Sequence, residues 1–171
     1  MAEIVRLSSG MPWEPVAAYS RAVRIGDFVA VSGTTATDER GGVVGIGQMY
    51  VQARQTLTNI QRALERIGLS MSDVVRTRMF VTDISRFAEA ARAHREFFAA
   101  SPPASTMVEV KGLINSSMLI EIEADAYFSS AAETTDSVAT MPMRVSAKST
   151  RKTRPKRVSM KKPKAKARKR K

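Results

Sequence analysis

Five apolar residues, Ala53, Leu57, Ile60, Leu64 and Ile67, step along the chain by four, three, four and three, and Gly68 follows the last of them. That spacing lines one face of a helix over 48–67, and the glycine stands where a left-handed C-terminal cap is wanted. A helix with a single apolar stripe needs a sheet beneath it. The next segment, "DVVRTRMFVTD" (73–83), alternates as a strand does, with Val75, Thr77, Met79 and Val81 on one side. Before the helix, "RAVRIGDFVAVSG" (21–33) reads as a β-hairpin turning at Gly26-Asp27 and ending at Gly33, and 37–42 reads as a polar loop. After the strand comes a second helix over about 85–99. It carries Phe87, Ala90, Ala91, His94 and Phe97/Phe98 on one side and is stopped by Pro102-Pro103. Strands at about 105–111 and 118–127 close the series. The order β-β-α-β-α-β-β, with strand-helix-strand occurring twice, predicts an α+β domain with its helices on one face of a sheet.

The charge distribution divides the chain. Its 171 residues leave room for one ordinary domain. Of 28 Lys and Arg, 15 fall from Met141 onward, where there is no acid; the remaining 13 face 16 Asp and Glu, so residues 1–140 sum to −3. The expected organisation is a mildly acidic domain over 1–128, a small, polar linker over 129–147 and a disordered polybasic tail over 148–171. Lys111 is the single lysine before residue 141, which marks the tail as a separate appendage. There is no cysteine, hence no disulfide framework, thiol nucleophile or Cys-based zinc site. The N-terminal stretch lacks the pattern of a signal peptide, and no apolar run reaches the roughly 20 residues needed to span a bilayer. The sequence therefore predicts a cytoplasmic protein that does not enter the membrane, and the sequon Asn115-Ser116-Ser117 carries no weight.

Few residues offer chemistry. His94 is the only histidine; it lies on the apolar side of its helix and reads as a partly buried structural residue. Met49, Met71, Met79, Met107 and Met118 read as core fillers. A metal site would have to be all-carboxylate, and nothing in the spacing suggests one. Glu121, Glu123 and Asp125 are spaced by two on one strand and so share a face, which is costly unless that face is wet or opposite a cation. Either the face is solvated, or one carboxylate lines a cleft and handles a water or a proton.

The stretch "QARQTLTNIQRALERIGLSMSDVVRTRMFVTDISRFAEAARAHREFF" (52–98), followed by "PPASTMVEVKGLINSSMLIEIEADA" (102–126), resembles the RidA superfamily. These are the reactive intermediate/imine deaminases, once grouped as YjgF or L-PSP endoribonucleases. The resemblance covers about residues 14–128. It implies a chorismate-mutase-like fold, a mixed sheet with two helices packed on one face, and a homotrimer with small-molecule clefts between subunits. It also implies hydrolysis of enamine or imine products of other enzymes without metal or cofactor. Carried over by position, Tyr19 flanks the ligand, Ser32 and Gly33 bring backbone groups to it, and Glu121 orients the attacking water. The deaminases' carboxylate-clamping arginine falls at Ser105, their cysteine at Met107 and an asparagine at Ala91. A serine cannot supply a bidentate, charge-assisted clamp. The resemblance thus implies a divergent member in which a substrate carboxylate meets Glu121 with no cation to offset the repulsion.

Two functions compete. One is an enamine/imine deaminase-type hydrolase, or a binding relative, with an altered substrate. The other is a nucleic-acid-associated trimer acting through its tails, in which Arg151, Lys152, Arg154, Lys156, Arg157, Lys161, Lys162, Lys164, Lys166, Arg168, Lys169, Arg170 and Lys171 neutralise DNA or RNA phosphates. An endoribonuclease is disfavoured, because a lone histidine leaves no paired acid/base set.

Overall fold

The computed structural model describes residues 3–128; the expected linker and basic tail, 129–171, lie outside the described residues. The elements are β1 (Ile4–Leu7), α1 (Trp13–Ala17), β2 (Ala22–Ile25), β3 (Phe28–Thr35), α2 (Met49–Glu65), β4 (Val74–Val81), α3 (Phe87–Phe98), β5 (Ala104–Glu109) and β6 (Ile120–Tyr127). Six strands form one mixed sheet in the order β1-β2-β3-β6-β4-β5. Only β4 and β5 pair in parallel, as a strand-helix-strand unit through α3 requires. The last strand, β6, is antiparallel to both β3 and β4 and sits between them. This is the α+β fold with helices on one face that the element order predicts.

The core lies between the sheet and the two long helices. From α2, Ala53, Leu57, Ile60 and Leu64 are fully buried against Val29 and Val31 of β3, Val81 of β4, and Ile120, Ile122, Ala124 and Ala126 of β6. Gly68 adopts φ +88°, and the Leu69 amide donates to the Leu64 carbonyl at 2.9 Å, closing the helix as a glycine cap does. Within the core, the Gln52 amide is also buried. Its nitrogen donates to the Gly45 and Ser117 carbonyls, and its oxygen accepts from the Leu119 amide, so α2 is tied to the loop before β6.

Two β-bulges shift the alternation. Between Val31 and Thr34 one extra residue enters β3 opposite β6, so Thr34 and Ala36 continue the buried set after Val29 and Val31. A second bulge, between Val74 and Arg76, corrects the expectation for β4. Val74 takes the buried place with Thr77, Met79 and Val81, whereas Val75 is 51% exposed. The second helix also differs from its predicted face. Ala90, Ala93 and Phe98 are buried and His94 and Phe97 half-buried, while Ala91 lies a residue to the side and is exposed. Phe87, in the helix's first turn, is 58% exposed. Strand β1 and the short α1 were not expected from the sequence.

Among the described residues neither long helix packs on the other sheet face. Cross-strand partners place Phe28 beside Tyr127, Ala30 beside Asp125, Arg78 beside Glu123, and Phe80 beside both Glu121 and Val108. Among the described residues no helix is long and apolar enough to cross a membrane.

Candidate functional site

On β6 the period of two sends Glu121, Glu123 and Asp125 to the open face, and cations meet two of them. Arg78 pairs with Asp125 at 3.0 Å and Glu123 at 3.6 Å, and Arg76 approaches Asp125 at 3.9 Å. These pairs are partly solvated and mainly remove like-charge repulsion along the strand. Among the described residues Glu121 has no such partner. Its neighbours across the ladder are Phe80 and Thr35. Burial, with the Glu123 charge adding to it, pushes its carboxyl above the usual range, and the Arg21 charge only partly offsets this.

The bulge in β3 gives Glu121 its seat. A Cβ on Gly33 would fall 1.9 Å from Glu121 Oε1, so the carboxyl occupies space that only a glycine leaves open. Arg21, just before β2, ties this corner together. One guanidinium nitrogen donates to the Gly33 carbonyl at 2.9 Å, the Ser32 carbonyl at 3.3 Å and Thr34 Oγ1 at 2.8 Å; the other donates to the Tyr19 hydroxyl at 3.2 Å. The guanidinium also lies over the Tyr19 ring, 5.6 Å from its centroid. The Ser32 hydroxyl turns away and donates to the Ser20 carbonyl at 2.7 Å, so only backbone of Ser32 and Gly33 reaches this corner.

Tyr19 is placed by the segment before it. The α1 helix ends on Ala18, which takes the left-handed conformation at φ 53°, a strained state for a residue with a Cβ. The Tyr19 amide donates back to the Glu14 carbonyl at 3.1 Å. Glu14 is itself buried and accepts from the Ser8 and Ser9 hydroxyls and from the Ser9 amide at 2.8 Å. Burial alone would raise its carboxyl, but those hydrogen bonds and the Arg21 charge outweigh burial and hold it below the usual range.

Ser105 and Met107 are elsewhere. In the parallel β4–β5 register Ser105 stands beside Thr77 and Met107 beside Met79, on the helix-covered side. Buried Thr77 donates its hydroxyl to Ser105 Oγ at 2.9 Å and lies 2.9 Å from His94 Nε2. Thr77 has one proton to give, so His94 must donate from Nε2, and the Ser105 proton remains for a further acceptor. Burial lowers the His94 pKa, which keeps the ring neutral at neutral pH. One chain therefore gathers Tyr19, Ser32, Gly33 and Glu121 at one corner and sets Ser105 and Met107 on the opposite side of the sheet. Ala91, at the family's asparagine position, is exposed on α3.

Sequence reasoning missed Arg21, Phe80 and Thr77. Arg21 also corrects the expectation that Glu121 lies without a cation nearby. Nothing in the spacing around Arg21 flags it. Thr77 could have been found: a polar residue within an apolar alternation, and a histidine on an apolar helix face, both require a partner. Among the described residues no group of three His, Cys, Asp or Glu side chains is arranged to hold a metal ion.

The family model described as Endoribonuclease L-PSP matches residues 11–128. A RutC family protein of Pyrococcus horikoshii is 37% identical over 114 residues, 67% of this chain and 90% of the relative. A 2-iminobutanoate/2-iminopropanoate deaminase of Salmonella typhimurium is 37% identical over 111 residues, 63% of this chain and 85% of the relative. Among solved structures, a Mycobacterium tuberculosis member of the YjgF/YER057c/UK114 family aligns with a TM-score of 0.67 and 43% identity, covering 74% of this chain and all of the other. With the motif block over 52–126, these likenesses place the chain in the RidA/YjgF/L-PSP superfamily.

Proposed function

We propose that the protein is an enamine/imine deaminase-type hydrolase acting on a small molecule that differs from the usual 2-imino acids. The observation that carries this reading is the Glu121 carboxyl, half-buried over Gly33 and held above its usual pKa. Such a group holds its proton to higher pH than an ordinary surface glutamate does, which suits it to proton transfer. In the reaction, Glu121 takes a proton from water as the oxygen adds to the C=N carbon. It hands that proton to the nitrogen to give a carbinolamine, then carries the carbinolamine hydroxyl proton to the same nitrogen as the C–N bond breaks, leaving a carbonyl compound and ammonia. Tyr19 flanks the ligand, and the backbone of Ser32 and Gly33 fixes its orientation. The deaminase name of the Salmonella relative supports the reaction class. The serine at 105, in place of a clamping arginine, supports the change of substrate.

The cleft, on this reading, forms between subunits of a homotrimer. Ser105 and Glu121 belong to opposite faces of one sheet, so a single chain cannot close both around one ligand. The helix-free face also exposes Phe28, Val108 and Tyr127, apolar area that a second copy would cover. Light scattering at micromolar concentration is expected to give three times the chain mass, and a stable monomer would reject the shared cleft.

The decisive assay is ammonia release from freshly generated enamines and imines. Glu121→Gln is expected to lose about two to four orders of magnitude in rate. An unchanged rate removes Glu121 from the chemistry; ligand binding without ammonia release makes the cleft a binding site. The same variant tests the electrostatics. With the folded pKa above the unfolded one, the native state holds the proton more tightly, so wild-type stability falls as pH rises from the unfolded value through the folded value. Glu121→Gln should therefore melt above wild type at pH 7, the gap closing below the ordinary glutamate range. A variant that melts lower at pH 7 means that the ionised carboxylate is stabilised.

Gly33→Ala separates site from scaffold. The φ of Gly33 is not in the left-handed region, and the added Cβ meets the flexible end of a side chain. We expect a loss of about 1 kcal/mol in stability and about a hundredfold in turnover, as the carboxyl is pushed aside. Full activity would show that Glu121 need not occupy that seat.

A second reading rests on charge alone: 15 Lys and Arg from Met141 onward, without an acid or an aromatic. Such a segment would bind nucleic acid without sequence preference, through ~6–10 phosphate contacts that weaken steeply with salt. Deleting residues 141–171 should abolish duplex binding at low salt and leave ammonia release unchanged. Equal duplex affinity of the two proteins would dismiss it.

A further inference from the structure

We propose that Arg21 is the anion-recognition group of this cleft, so that the ligand is a small carboxylate held from the Tyr19 side and not from β5. The proposal rests on reading the Tyr19–Gly33–Glu121 corner as a ligand site. The Arg21 guanidinium is half-buried, and its hydrogen bonds all go to neutral acceptors: two carbonyls and two hydroxyls. Those contacts orient the fork without neutralising it. Among the described residues Arg21 and Arg24 are the half-buried arginines that form no ion pair, and of the two Arg21 is the one bound to the Gly33 carbonyl beside Glu121. The charges that face it, Glu14 and Glu121, act from beyond ion-pair distance.

The geometry leaves donors over. A guanidinium has five N–H groups. The Nε–H of Arg21, and the second hydrogen of the nitrogen bound to Tyr19, have no acceptor among the described residues. Arginine prefers planar oxyanions, which it grips through two parallel hydrogen bonds, and a fork already fixed by the protein loses little freedom when it binds. A carboxylate there would lie on the Glu121 side of the sheet, and a C=N carbon placed further along the same molecule would meet the water that Glu121 activates. Position 105 would then be relieved of the clamp's work, and its serine hydroxyl, with a proton to spare, would contact a neutral acceptor at the ligand's far end.

The test compares two probes of nearly equal shape, pyruvate and pyruvamide, titrated by calorimetry at low salt into the full-length protein and into Arg21→Gln. Wild type is expected to bind pyruvate at least about tenfold more tightly than pyruvamide, as loss of a charge-assisted contact costs. Arg21→Gln should lose that preference, its pyruvate affinity falling at least about tenfold further than its pyruvamide affinity. Equal loss for both probes would mean that Arg21 only supports the Gly33 backbone, and a preference that survives in the variant would put the anchor elsewhere. Both results overturn the proposal. Wild type binding both probes equally also overturns it and leaves the cleft reading intact, whereas wild type binding neither removes both. Should the variant not fold, the Arg21 Nε–H resonance of 15N-labelled wild type decides: a shift with pyruvate and not with pyruvamide supports the proposal, and no shift with pyruvate overturns it.

Discussion

The pairing of β6 between β3 and β4 is the constraint from which the rest follows. One strand, with side chains alternating strictly in and out, supplies both the centre of the core and the acids of the open face. Ile120, Ile122, Ala124 and Ala126 are fully buried, and the residues between them are Glu121, Glu123 and Asp125. A slip by one residue would drive three carboxylates under the helices and four apolar side chains into water. Burying the carboxylates alone would cost several kcal/mol each. The register that holds the core is therefore the register that fixes Glu121, and the site needs no positioning device of its own on this strand.

What β6 cannot supply is space, and the bulge in β3 provides it. The extra residue between Val31 and Thr34 puts Ser32 and Gly33 out of step with the ladder, so carbonyls that would have met another strand are open to a side-chain donor. Arg21 takes them. The missing Cβ of Gly33 then leaves the Glu121 carboxyl a seat against the backbone. Glu123 and Asp125 lie away from the β3 bulge and find Arg78 and Arg76 on β4. Glu121 thus differs electrostatically from Glu123 and Asp125, because its neighbours across the ladder are Thr35 and Phe80, whereas on β4 theirs are Arg78 and Arg76.

The parts legible in the sequence are those set by local periodicity. The α2 stripe, its Gly68 cap, the β2–β3 turn and the inward residues of β6 all repeat at 3.6 or 2 within a few turns or pleats. Strand β1 was not legible, because it has only four residues, none of them buried in the chain, and no alternation to detect. Val75 was misplaced for a related reason: a bulge is a one-residue change of phase that a period-2 pattern does not reveal. For the site, the resemblance pointed to Tyr19, Ser32, Gly33 and Glu121, but why a glycine is needed at 33 depends on contact between residues 88 positions apart. Arg21 was invisible for the same reason. Two of its four partners are backbone carbonyls, which leave no mark in a sequence.

Ser105 shows how a charge can be absent without leaving its strand chemically empty. Its hydroxyl ends a chain that begins at a neutral histidine and passes through a buried threonine. Each link is 2.9 Å, and each has a single workable direction once Thr77 is the donor to Ser105. Because burial disfavours the charged ring, His94 keeps its proton on Nε2 without becoming a cation. Protonation would add a hydrogen at Nδ1 and leave the Nε2–H in place, so the direction of the chain does not depend on pH. The edge strand thus presents a fixed, uncharged donor, while Arg21 sits with Glu121 at the other corner. Cation and neutral donor lie on opposite faces of one sheet, so on the proposed reading only the meeting of two copies brings both to one ligand, and assembly and substrate choice become a single problem.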